Sequence, residues 1–385
     1  MEIMIYGSLI ILAAGLLTSM SLLALSHILL IIPIFYFLPK TNFKGWSKST
    51  WALVAMTVAI ILSVFLNQDI AVNGYKPLSK SKYFFFAFLS IAPFSYFFKN
   101  SIDEKKIKIL LRLILVASVV AGFFGILGKI TGYNFLSFKH VNKDRNAGLF
   151  GMVLNYAHNL SYFQILLFGL VLYKEEVETF IKPKILNYVF AFNIVSLYLT
   201  YTRGAWLALI IGVPFYFFKE HKKNFIIVLI TLLLTGGALY VLSGKSVKRK
   251  GSDAERISQW QSAFMAFKER PLFGYGYLNF EPHSVELKKR YDIGAQHFGG
   301  HAHNIFLEML ATTGLFGFIP FLLWLSFWFY EMYKRNDLVA KWTLPFIITF
   351  MVGGMTQSTI SLGINLFFIL AIYSISQVND NVLKK

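Results

Sequence analysis

"IYGSLIILAAGLLTSMSLLALSHILLIIPIFYFL", Ile5 to Leu38, contains no Asp, Glu, Lys or Arg. A hydrocarbon core is crossed by about 20 apolar residues of helix, so a run of this length is best divided into two short helices. Similar stretches recur to the far end of the chain, separated by charged breaks. They read as Trp51 to Leu66, Tyr83 to Phe98, Ile109 to Ile130, Leu149 to Tyr173, Ile185 to Thr202, Gly204 to Phe218, Asn224 to Leu242, Asn304 to Tyr330, Trp342 to Gln357 and Ser361 to Gln377. The expected fold is therefore all-α: a polytopic integral membrane protein with about twelve transmembrane helices, residues 1–385 forming a single transmembrane domain. Strands of a membrane barrel would be about half as long as these runs.

Composition points the same way. The 385 residues are 56% hydrophobic, 17% aromatic and only 15% charged, too apolar a balance for a soluble domain. The absence of cysteine excludes disulfides and thiolate metal sites. The opening "MEIMIYGSLI" lacks the basic region and small-residue cleavage site of a signal peptide, so a retained helix is expected there. A net charge of +18 raises the question of nucleic acid, but no basic stretch is interleaved with aromatics in a recognisable binding motif. Membrane lipids and phosphates are the expected partners, with no nucleic acid.

Loop charge orients the spans, because Lys and Arg are retained on the cytoplasmic side. One alternating set of loops carries 18 of them, among them Lys99, Lys105, Lys106, Lys108, Lys219, Lys222, Lys223, Lys384 and Lys385, whereas the short loops of the other set carry 7, including Lys139 and Arg203. The second side is expected to face outwards, the periplasm in a Gram-negative cell. One outer segment, 243–302, is much longer than the rest and carries ten basic residues from Lys245 to Arg290. A loop of this length is usually functional. Within it, "SDAERISQWQSAFMAFKERP" reads as an amphipathic helix on the membrane surface. Ser252 or Asp253 is the expected cap, Ile257, Trp260, Phe264 and Phe267 the apolar stripe, and Pro271 the stop.

Three polar features gather on this outer side from distant parts of the chain: "YTRGAW" at Tyr201 to Trp206, Arg256 in the loop helix, and His297, His301 and His303 ahead of the span at Asn304. Charges at the ends of spans tend to mark function. Arg203, at a turn, either faces a cavity or snorkels to the headgroups, and Tyr201 and Trp206 also suit an ordinary aromatic belt. Arg256 lies four residues before Trp260, so the two could stack on one helical face, or the helix could merely hold acidic lipid. Spacing argues against a metal: His301 and His303 are two residues apart, with no Cys and no HExxH pattern. An imidazole at the mouth of an apolar helix, beside the capping candidate Asn304, suits a general base better, although a solvated cap would look the same. No G-x-S-x-G elbow, P-loop or D-x-D site is present.

Together "TRGAWLAL" (Thr202 to Leu209), "R-x-x-x-W" (Arg256 to Trp260), "RPLFGYG" (Arg270 to Gly276) and "HAHNIFLEMLATTGLFGF" (His301 to Phe318) resemble the O-antigen ligase family of polytopic membrane glycosyltransferases. The resemblance implies a glycan donor on undecaprenyl diphosphate and a hydroxyl acceptor on the lipid A core or another glycan. It also implies a bacterial inner membrane location, a site facing the periplasm, and no cofactor. By resemblance, Arg203 and Arg256 engage the diphosphate and His303 is the base; Arg145, Tyr201, Trp260, His301 and Asn304 are the candidate substrate contacts around them. The stretch "GLFGMVLNYAHNL" at Gly148 to Leu160 departs from the family pattern, which puts any role of Asn155 or His158 in doubt.

The chemistry is coherent without the name. Guanidiniums can bind the charge on a departing diphosphate bidentately where a cation would otherwise be needed. A positioned imidazole that takes the hydroxyl proton contributes roughly 10² to 10⁴ in rate, and in-line attack would invert the anomeric centre. O-antigen polymerase shares donor and chemistry, and a transferase acting on a protein acceptor is a further alternative. A lipid-linked sugar flippase would also have about twelve helices, but transporters carry paired repeats and midplane polar groups.

Overall fold

The computed structural model describes residues 1–134, 138–141, 143–242, 250–361 and 363–383, without the side chains of Lys139, Leu239, Tyr240, Leu242, Lys250, Ser252 and Asp380. Expectations for Lys139, Ser243, Lys245, Ser252, Lys384 and Lys385 fall outside these described groups.

The chain is a helical, multi-pass membrane protein. The first apolar run forms α1 (Glu2–Gly15) and α2 (Met20–Phe37), with Ser19 capping α2 by accepting from the Leu22 amide. Then follow α3 (Lys48–Phe65), α4 (Leu78–Leu89), α5 (Ile91–Asn100) and α6 (Glu104–Thr131). Beyond a small ribbon come α7 (Val153–Leu172), the single turn α8 (Lys174–Val177), α9 (Pro183–Tyr198), α10 (Arg203–Gly212) and α11 (Lys222–Leu242). The remainder is α12 (Lys250–Glu269), α13 (Phe280–Arg290), α14 (Ile305–Lys334), α15 (Leu338–Gly354) and α16 (Gly363–Ser376). By length and composition, four helical segments among the described residues can cross a membrane unaided: Met20–Lys40, Lys48–Phe65, Glu104–Thr131 and Ile305–Lys334.

Three details differ from expectation. The run Tyr83 to Phe98 is interrupted at Ser90, between α4 and α5. Pro93 has no N–H for the carbonyl of residue 89, and its ring crowds that carbonyl. The fold is not purely helical, since β1 (Tyr133–Asn134) pairs antiparallel with β2 (Lys139–His140). The long loop contains two helices, α12 and α13, and α12 begins at Lys250, so Asp253 lies inside it and is not its cap.

The longest helix, α14, packs along α3, and Trp324 and Trp328 stack beneath its outer half at 5.6 Å. It is broken at Gly314 (φ 58, ψ −161). The motif "RPLFGYG" mends the break. Tyr275 and Gly276 amides donate to the Ala311 and Thr312 carbonyls at 2.8 Å, while the Leu315 and Phe316 amides donate to the Pro271 and Leu272 carbonyls at 2.8 and 3.0 Å. Main-chain groups at membrane depth must find such partners. The approach is close enough that a Cβ on Gly314 would lie 2.4 Å from the Leu272 carbonyl carbon. This splice fixes α12 on the half of α14 that carries the histidines.

Candidate functional site

The histidine turn is built first. Asn304 caps α14, its Oδ1 accepting from the Phe306 and Leu307 amides at 2.9 and 3.2 Å. Buried Glu308, one turn further on, accepts from the Ala302 amide at 2.7 Å and from the Ser358 hydroxyl at 3.4 Å. These contacts hold His303 at φ 50, a left-handed conformation that a residue with a Cβ rarely adopts.

Gln357, just beyond α15, receives both imidazoles on one oxygen. His303 Nδ1–H donates to its Oε1 at 2.6 Å, and His301 Nε2–H donates to the same atom at 3.2 Å, with the rings 4.2 Å apart. An amide oxygen only accepts, so the neutral His303 keeps its proton on Nδ1 and presents a lone pair on Nε2. Burial, then the neighbouring His301, push the His303 pKa down to about 4, so the ring is neutral at pH 7.

The arginines converge from two elements. Arg203 opens α10, which lies so close to the end of α15 that a Cβ on Gly204 would sit 2.0 Å from Thr356 Oγ1. That contact explains the glycine of "TRGAW". The Arg203 fork grips the Asp253 carboxylate at 2.5 and 3.3 Å. Arg256, one helical turn after Asp253, makes no hydrogen bond or ion pair of salt-bridge length among the described residues. Burial and the nearby Arg203 lower its pKa. Arg145 braces the preceding turn, donating from Nε to the Thr200 carbonyl and from an Nη to Thr202 Oγ1, both at 2.7 Å. Tyr201 sits on this turn at φ 48, under the Lys129 ammonium.

Arg145, Tyr201, Arg203, Arg256 and His303 line one cavity of about 180 Å³. Leu154, Glu255 and Phe298, which the sequence did not single out, also line it. A second, more apolar opening of about 500 Å³ shares Arg203, Gly204 and Arg256 with it and runs between α10 and α11 over Leu207, Ile210, Leu233 and Gly236. The site is therefore a polar chamber with a greasy groove leading out of it.

Other expected residues lie elsewhere. Trp260 is exposed, outside the cavity, and makes no cation–π contact with Arg256 among the described residues; the buried face of α12 is Ser258, Gln259, Ser262, Ala263 and Ala266, which leaves Ile257, Trp260 and Phe264 facing outwards. His301 does not line the cavity but packs against His303 and shares Gln357 with it, and the Asn304 oxygen is committed to its cap. His297 is exposed. Asn155 and His158 are buried inside α7 and do not line the cavity, although Leu154 of the same helix does. Two signals for the missed partners were present: Asp253 stands one turn before Arg256, and Gln357 is the polar end of an apolar run.

Residues 188–322, which contain Arg203, Arg256 and His303, match the model of the family described as O-Antigen ligase. The chain is also similar to an uncharacterised protein of Haemophilus influenzae, 24% identical over 353 residues, which cover 82% of this chain and 81% of that protein.

Proposed function

We propose that the chain is an O-antigen ligase: it moves a glycan from undecaprenyl diphosphate to a hydroxyl of the lipid A core oligosaccharide, at the periplasmic face of the bacterial inner membrane. The observation that carries this reading is the shared cavity, lined by the guanidiniums of Arg145, Arg203 and Arg256 and by the neutral His303 imidazole, beside an apolar groove that shares Arg203 and Arg256 with it. Arg256 and Arg203 hold the diphosphate. Arg203 already binds a carboxylate with both arms of its fork, the geometry in which it would take a phosphate. The polyprenyl tail lies along Leu207, Ile210 and Leu233. The acceptor hydroxyl gives its proton to His303 Nε2 as its oxygen attacks the anomeric carbon, and the electrons of the breaking C–O bond leave with the diphosphate. Fixed positive charge stabilises that leaving group, and attack from the opposite face inverts the sugar.

The test supplies purified protein with a lipid-linked glycan and, separately, lipid A core or a second lipid-linked glycan, in the presence of a chelator. Glycosylated lipid A core is the expected product. A lengthened lipid-linked glycan alone would make the chain a polymerase, and loss of all transfer on chelation would reject the arginine mechanism.

A further inference from the structure

At the opposite end of α6 and α9 from the candidate site, a groove of about 410 Å³ opens between the two helices. Its walls include Val116, Val119, Ile185 and Val189, and its rim carries Arg112 and Lys182. Val116 and Ile185 are exposed, so the walls are apolar surface with no protein cover. Arg112 stands three residues inside the apolar run Ile109 to Ile130 of α6, about 4.5 Å along its axis at 1.5 Å per residue. A guanidinium at that depth needs an anion or a route to water. Neither Arg112 nor Lys182 makes a hydrogen bond or ion pair through its side chain among the described residues. Lys105 and Lys108 precede Arg112 at seven and four residues, so helical periodicity lines all three up on one face that runs into the groove.

We propose that this groove binds one anionic glycerophospholipid, its phosphodiester held by Arg112 and Lys182 and an acyl chain lying over Val116, Val119, Ile185 and Val189. Charge decides the occupant. A zwitterionic lipid brings its own ammonium to a rim that already has two unmatched cations and more lysines leading to it, whereas an anionic headgroup neutralises them. A free phosphate would satisfy the cations and leave the apolar walls uncovered. The site is separate from the transfer chemistry and does not depend on that reading.

The full-length protein in nanodiscs containing equal parts of phosphatidylglycerol and phosphatidylcholine, with identical acyl chains, is examined by native mass spectrometry for retained lipid. Phosphatidylglycerol should be retained in preference. Arg112→Gln combined with Lys182→Gln should cut that preference roughly 25-fold, about five-fold for each cation removed. Val116→Trp, which leaves both cations in place and fills the groove, should also reduce phosphatidylglycerol retention, and it serves as the second probe where the double variant does not fold. Added inorganic phosphate should leave retention unchanged. Equal retention of the two lipids by the native chain, an unchanged preference in the double variant, unchanged retention in Val116→Trp, or displacement by phosphate would each overturn the assignment.

Discussion

The two ends of this helical body are built on different principles. At the lysine-rich end, helices start with ordinary caps: Ser47 accepts from the Thr50 amide, Asp103 from Lys106 and Asp337 from Ala340, and the neighbouring cations are exposed or paired at the surface. At the site end, Tyr201 and His303 occupy left-handed backbone, α14 is broken, and charged groups are held against one another around a chamber. Regularity is stable without function, whereas strain of about 1–3 kcal/mol per residue persists only where surrounding contacts enforce it. Tyr201 and His303 bring that strain to the wall of the proposed transfer chamber.

Substitutions at the two ends sharpen the contrast. His303→Ala should lower transfer by roughly 10² to 10⁴, measured as product formed per enzyme in proteoliposomes, with the helical circular dichroism unchanged; full activity would remove the imidazole from the mechanism. His301→Ala should be milder, because His301 packs against His303 but does not line the cavity, and equal losses from both would leave the base unassigned. Gly314→Val should cost about 2–4 kcal/mol, from left-handed strain and a carbonyl 2.4 Å away, read as a fall in thermal midpoint in detergent. Arg256→Ala should weaken donor binding by roughly 10- to 100-fold, since a charge-assisted contact is worth about 1.5–3 kcal/mol, and the effect should appear in KM for the donor more than in kcat. At the regular end, Asp103→Ala should cost about 1 kcal/mol of stability and leave transfer unchanged.

Acid should act on the site end first. The folded pKa of His303 lies below its ordinary value of 6.5, so the folded state takes up this proton later than the unfolded one. Its contribution to stability is complete above about 6.5 and is lost as pH falls towards about 4. The transfer rate should likewise hold through mild acid and fall as pH approaches 4, a limb absent from His303→Ala. An acid limb centred near 6.5 would mean that the imidazole is not buried as described.

What could be read in the sequence was what depends on local pattern. The apolar runs marked helices, Asn304 was legible as the cap of α14, and Arg203, Arg256 and His303, which lysine counting set at one end of the spans, line one cavity. What escaped depends on partners far along the chain. Asp253 meets Arg203 across 50 positions and Gln357 meets His303 across 54; no periodicity encodes such pairings. Helix α13 is hard to read because only Phe280 and Leu287 mark the apolar part of its buried face, although Glu281 in its first turn and Lys288, Lys289 and Arg290 in its last match the helix dipole. Trp260 was drawn towards Arg256 by helical spacing, but packing against α14 turned the small polar face of α12 inwards instead.

The splice between Pro271–Gly276 and α14 has a consequence for motion. Lifting Pro271–Gly276 away would strip four main-chain hydrogen bonds from α14 on both sides of its break. The amides of Leu315 and Phe316, though close to a break, should therefore exchange with deuterium as slowly as the deepest core and report global unfolding instead of local breathing.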